Sequence, residues 1–392
     1  TINNSLLEKS NRFGVSGKGD DNNEGMLQIL GINGTASVTN SKFDQGARLL
    51  DLQTGTSGNL NLTATNNTFS NSWKGFDSAG DGIYFIGGDA VRVLTQGSAT
   101  ATVIIGDQNQ SNSALGNVFL NDKYSLMIGH LNSTDTGLIK TTISENNFQA
   151  TNHKSPTGSP LFNYPNGTVL LLGKGIGGLN ANVSHNTFDQ LTDNQGLFGS
   201  LNVAAENGTT QVRINNNTFI KPWDHSMHLR TNNSATLTAE INNNTYITGS
   251  AGGAGTDSVA FNGPWNNVYV ESIGSGASTV NVTVHDEAIP TNVFSANDLE
   301  FKTSFAGQTM NVFLYNLTAP KGYQFNSNVA GATINIYRNG SLAGTVAGIL
   351  SDNNVTGGAG NPATDPPTVN LPGAGTVQGT NTAPLLPSFS VP

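Results

Sequence analysis

Short apolar runs in which every second residue is hydrophobic recur along the chain, as in LLDLQT at 49–54, GIYFIG at 82–87, YSLMIGH at 124–130 and TVLLLG at 168–173. Such alternation puts successive side chains on opposite faces of an extended backbone, and the Gly and Asn that punctuate the runs belong to turns, so the pattern predicts many short β-strands. Helical periodicity is nearly absent. The longest apolar run, Thr168 to Leu172, is strand-sized and far short of the roughly 20 residues of a membrane-crossing helix.

Downstream of these runs lies a second recurring element: apolar, spacer, Asn, small residue, aromatic. It reads VTNSKF at Val38 to Phe43, TATNNTF at Thr63 to Phe69, GNVF at Gly116 to Phe119, ISENNF at Ile143 to Phe148, VSHNTF at Val183 to Phe188, INNNTF at Ile214 to Phe219 and INNNTY at Ile241 to Tyr246. The aromatics Phe43, Phe69, Phe119, Phe148, Phe188, Phe219 and Tyr246 are spaced by 26, 50, 29, 40, 31 and 27 residues. The spacing reads as a unit of 26 to 31 residues, with 50 as two units and 40 as one unit plus an insertion. A unit of this length holding two or three strands suits a solenoid whose coils stack at about 4.8 Å. The strict hexapeptide period of a left-handed β-helix and the paired leucines of leucine-rich repeats are both missing. An antiparallel sandwich is the rival architecture.

Within a solenoid the asparagines Asn67, Asn147, Asn186, Asn217 and Asn244 are expected to stack as an amide ladder beside a turn, and the aromatics as a stack in the core. These elements resemble those of right-handed parallel β-helix proteins, the superfamily that includes pectate lyases, phage tailspikes and autotransporter passenger domains. The resemblance covers roughly residues 1–285. It implies an all-β, right-handed parallel β-helix there. Beyond it the pattern loosens: strand-like runs over 286–356 read as terminal coils or a β cap, and the Pro/Gly-rich 357–392 reads as an extended tail docked on the rod or on a neighbouring subunit.

Composition narrows the partners. Only 11% of residues are charged and the net charge is −9, so a basic face for nucleic acid is lacking. The chain has no Cys, which excludes disulfides, thiolate metal sites and thiol nucleophiles. A start at Thr1 instead of Met suggests a processed or excised chain, and with the low-charge Asn/Thr/Ser surface it points to a secreted or cell-surface protein of bacterial origin.

Chemistry-bearing residues gather in PWDHSMHLR, Pro222 to Arg230, where Asp224, His225, His228 and Arg230 offer an acid, two bases and a cation. The Trp223-Asp224-His225 run is similar to a Trp-Ile-Asp-His element of pectate lyases but lacks the intervening residue. That family further implies acidic calcium ligands on adjacent coils, and no regular acidic set is present. The acidic loops DDNNEG at 19–24 and DSAGD at 77–81 could hold calcium but lack the spacing of known calcium loops, so no cofactor is expected.

The expectation is therefore a non-enzymatic, secreted surface protein: an adhesin-type β-helix passenger or an extracellular filament subunit. Its partners would be further copies, end to end or through tail residues Leu385, Leu386, Phe389 and Val391, and a host or surface glycan. A polysaccharide lyase, hydrolase or phage tailspike is the competing class.

Overall fold

The computed structural model describes residues 1–10, 26–46, 48–72, 89–120, 122, 124–149, 168–189, 199–220, 225–247, 266–289, 298–338, 344–357 and 367–390. The chain is a right-handed parallel β-helix. Three parallel sheets run along it: an A face of 12 strands from Ile2–Asn3 to Thr376–Thr380, a B face of 8 strands from Leu6–Ser10 to Thr245–Ile247, and a C face of 11 strands from Leu27–Ile32 to Val369–Asn370. The chain visits the faces in the order A, B, C, and each strand pairs in parallel with its counterpart one coil on, as Ile241 does with Val284. Twelve strands at this spacing make a rod about 50 Å long.

Alternation decides what goes inside. In Thr209–Asn215, Val212 and Ile214 are buried while Gln211 and Arg213 face outward. The inward row is continuous from Val38 to Ile336, so the rod has one core. A coil cannot bury its own apolar face; stacking on the next does it.

Strands continue past residue 285, where terminal coils or a β cap are expected. Leu299–Thr303, Thr309–Tyr315, Tyr323–Ser327 and Thr333–Tyr337 continue the C and A faces past residue 285, and Val369–Asn370 and Thr376–Thr380, expected in the tail, form strands of the last coils. Among the described residues, only 381–390 lie beyond the last strand. The sequence suggested no helix of consequence, yet Val346–Asp352 is one; Thr345 caps it by accepting the Gly348 N–H, and it buries Ile349 and Leu350. A second correction concerns the 50-residue interval: Phe119 pairs directly with Phe69, so it is one coil with two insertions, not two coils.

Candidate functional site

Two sets of polar residues compete for a functional reading, one inside the rod and one on its C face. The inner set is the ladder at the turn between A and B. The backbone N–H and side-chain Nδ2 of Asn67 both donate to Asn117 Oδ1 (3.0 and 2.9 Å), and the same paired bonds run from Asn117 to Asn146, Asn146 to Asn186, Asn186 to Asn217 and Asn217 to Asn244. The second Nδ2 hydrogen goes to a carbonyl of a neighbouring coil, as from Asn186 to Ile143 at 2.8 Å. Asn146 stands in the ladder, not Asn147, whose strand position lies one residue nearer Phe148; the sequence reading also missed Asn117. Every ladder residue lies two positions before its aromatic, as Asn117 does before Phe119 in the GNVF copy of the motif.

The residue before every rung except Asn117 turns the corner in the left-handed region: Asn66, Glu145, His185, Asn216 and Asn243 have φ of 52 to 62°, whereas Gly116 is extended at φ −64°. Asn tolerates this conformation best after Gly. Phe43, Phe69, Phe119, Phe148, Phe188, Phe219 and Tyr246 stack beside the ladder with ring centroids 4.7 to 5.7 Å apart.

The ladder ends on a carboxylate. Asn244 donates from N (3.2 Å) and Nδ2 (2.8 Å) to Glu287 Oε1, and the equivalent position of the next coil is apolar Leu317. Burial pushes Glu287 up to about 7 against the pull of the Asn244 bonds.

The outer set lies on the C face, where connection lengths single out one edge of the rod. Connections from B to C run from 3 to 20 residues, whereas those from A to B are two residues long except for the one after Gly106. Insertions on a solenoid gather on the face that evolves contacts. Here the long connections are those that lead into C-face strands, and that face carries a cluster that does not repeat.

His228 and Arg230 project outward from Met227–Thr231, Tyr269 and Glu271 from Val268–Ser272, and Glu300 and Lys302 from Leu299–Thr303. Register aligns His228, Tyr269 and Glu300 in one row and Arg230, Glu271 and Lys302 in the next. His228 Nε2 lies 2.9 Å from Glu271 Oε1, the Tyr269 hydroxyl donates to Glu271 Oε2 at 2.8 Å, and Lys302 Nζ donates to the Tyr269 hydroxyl at 3.3 Å. His225 Nδ1 sits 2.8 Å from the Asn266 carbonyl, and the Asn266 amide donates to Glu300 Oε2 at 2.8 Å. The Tyr269 ring packs against both imidazoles, at 4.8 Å from His225 and 5.0 Å from His228. Arg230 reaches Glu206 at 3.7 Å.

Though outward-facing, His228, Glu271 and Glu300 are only 4 to 8% exposed. Burial acts in the same direction on both carboxyls, with different outcomes. It raises Glu271, but the stronger combined pull of His228, Tyr269 and Lys302 brings it down to about 2. For Glu300, burial prevails over the Asn266 bond and the carboxyl is raised. Burial lowers His225 to about 3, helped by His228 nearby, which keeps the ring neutral.

Thus His225, His228 and Arg230 are brought together, while Asp224 lies outside the described residues, as do the acidic loops at 19–24 and 77–81 and Val391. Sequence reasoning missed Tyr269, Glu271, Glu300 and Lys302, which lie 41 to 72 residues downstream of His228 or Arg230 and meet them only through coil register. Of the tail residues, Phe389 contacts the rod at Arg213, but Leu385 and Leu386 are 68 and 53% exposed; Pro384 and Pro387 are the buried ones. Among the described residues no three His, Asp or Glu side chains converge to hold a metal ion. Comparison with family models, curated proteins and solved structures finds no match, so the chemistry rests on these residues alone.

Proposed function

We propose that this chain is an adhesin-type rod, secreted or displayed on a bacterial surface, whose C face carries recognition. The observation that carries this reading is the gathering of variable insertions at one edge of an otherwise regular solenoid, beside a non-repeating cluster of imidazole, tyrosine, carboxylate and cationic groups. The ladder and aromatic stack are spent on holding the coils together, which makes the rod a stiff spacer. A chain with few charges and no Cys suits an extracellular setting. The partner class is an extended glycan, because a face built from parallel coils repeats its contacts every 4.8 Å or so along a straight track.

A second reading, glycan cleavage, is favoured by one observation: neighbouring carboxyls Glu271 and Glu300 have acidities driven in opposite directions, the arrangement that separates a base or nucleophile from an acid. Incubating the protein with polyuronides and capsular polysaccharides separates the readings. The adhesin reading expects binding without turnover, weakened at least tenfold by Arg230→Ala with Lys302→Ala. Turnover abolished by Glu300→Gln would replace it with the enzymatic one, and neither binding nor turnover would refute glycan recognition.

A further inference from the structure

Residues 381–390 follow a path that the rod itself defines. Thr380 ends the last A-face strand, and its row of outward positions runs back through Tyr337, Phe313, Thr283 and Glu240 to Arg213. Five coil steps separate Thr380 from Arg213, about 24 Å. Eight residues separate Thr380 from Ser388, and a polyproline II strand covers about 25 Å in eight residues. The tail reaches that far. Arg213 donates from one guanidinium nitrogen to the Pro387 carbonyl (2.7 Å) and from the other to the Phe389 carbonyl (3.1 Å), with the Phe389 ring 4.8 Å from the guanidinium carbon. The Ser388 N–H donates to Gln211 Oε1 at 2.8 Å.

Spacing tells which side of the tail faces the rod. Pro384 and Pro387 are three apart and buried, while Leu385 and Leu386 between them are exposed. Three residues per turn is the period of polyproline II, so the two prolines fall on one edge. Beneath the path, outward-facing Thr283 is only 2% exposed, and the Phe313 and Tyr337 rings meet edge to face at 4.7 Å. An extended proline-containing strand lying over aromatic and hydroxyl side chains, with its carbonyls read by a planar donor, is a known mode of peptide recognition. Glu240, 3.5 Å from the Arg213 Nε, orients that donor.

We infer that the outward A-face row from Tyr337 to Arg213 is a binding groove for an extended proline-containing strand, and that the C-terminal segment is its exchangeable occupant, able to seat on a second copy. The hinge is 381–383, whose residues are exposed. On an isolated chain the tethered segment outcompetes any other, so the groove is filled in cis; exchange becomes visible when one copy lacks a competent tail and another lacks a competent groove. This holds whether or not the C face binds a glycan.

Two full-length variants provide the test. Arg213→Ala makes a donor with an intact tail and a disabled groove. Pro384→Ser with Pro387→Ser and Phe389→Ser makes an acceptor with an intact groove. Each alone should sediment as wild type does, whereas their mixture should form a 1:1 complex. A labelled peptide of residues 380–390 should bind the acceptor and bind the acceptor carrying Arg213→Ala at least tenfold more weakly. Circular dichroism on both variants checks that the rod is intact, since all four substitutions lie outside its core. Peptide binding indifferent to Arg213→Ala would overturn the groove, and a mixture that sediments as its separate components would overturn exchange.

Discussion

The ladder and the C-face cluster are both buried networks of polar side chains, yet they are built on opposite plans. From Asn67 to Asn244 each rung repeats the last, every amide donates in the same direction, and the bonds pass between coils that the ladder itself spaces. In the outward rows of the C-face cluster no residue type repeats: His228, Tyr269 and Glu300 occupy one row where a uniform solenoid would place one residue type. Repetition marks the groups that maintain the fold. Its loss, on the face beside the long insertions, marks those free to do something else.

The comparison breaks most severely in the core. Phe188→Ala removes a ring stacked between Phe148 and Phe219 and should cost roughly 3–5 kcal/mol, seen as a lowered denaturation midpoint. Asn186→Ala strands the Asn146 donors and the Ile143 carbonyl together, each a buried group without its partner, and should cost about 3 kcal/mol. A loss under 1 kcal/mol there would show that the ladder ornaments the fold instead of holding it.

The two networks should also respond to pH with opposite sign. Glu287 has a folded pKa raised from 4.5 to about 7, so its contribution is complete below 4.5 and is lost as pH rises through 7; the ladder end weakens in alkali by roughly 3 kcal/mol, and Glu287→Gln removes that dependence. His225 and Glu271 have folded pKa values lowered to about 3 and about 2. Their contributions are complete above their unfolded values of 6.5 and 4.5 and are lost as pH falls towards 3 and 2, so the C face weakens in acid. Amide exchange measured at pH 4 and pH 8 should show protection falling first around 225–271 in the one case and around 244–287 in the other.

Smaller effects sharpen the picture at the turns. Asn216→Ala, at φ 56°, should cost about 1 kcal/mol, whereas Asn216→Gly should be nearly neutral.

Period-two alternation and the Asn-x-aromatic element made the solenoid readable, because both follow from how one coil meets the next. What escaped was information carried by register. Adjacent Asn146 and Asn147 look alike until the distance to Phe148 is counted, and a 50-residue interval looks like two coils until Phe119 is paired with Phe69. VYVES and LEFKT carry Tyr269, Glu271, Glu300 and Lys302 in strands that resemble any other, and only alignment against MHLRT places them beside His228 and Arg230. In the tail Phe389 was legible as a contact, but the conspicuous leucines face solvent and the prolines, three apart, are the buried residues.

The central claim is that recognition belongs to the C face and not to the repeat. Binding to an immobilised panel of polyuronides and capsular polysaccharides tests it directly, comparing wild type with Arg230→Ala plus Lys302→Ala and with Lys140→Ala, an outward cation on the A face. The account predicts at least a tenfold loss of affinity for the C-face variant and none for Lys140→Ala, at closely similar denaturation midpoints. Binding that survives the C-face change, or that disappears with Lys140→Ala, would contradict it.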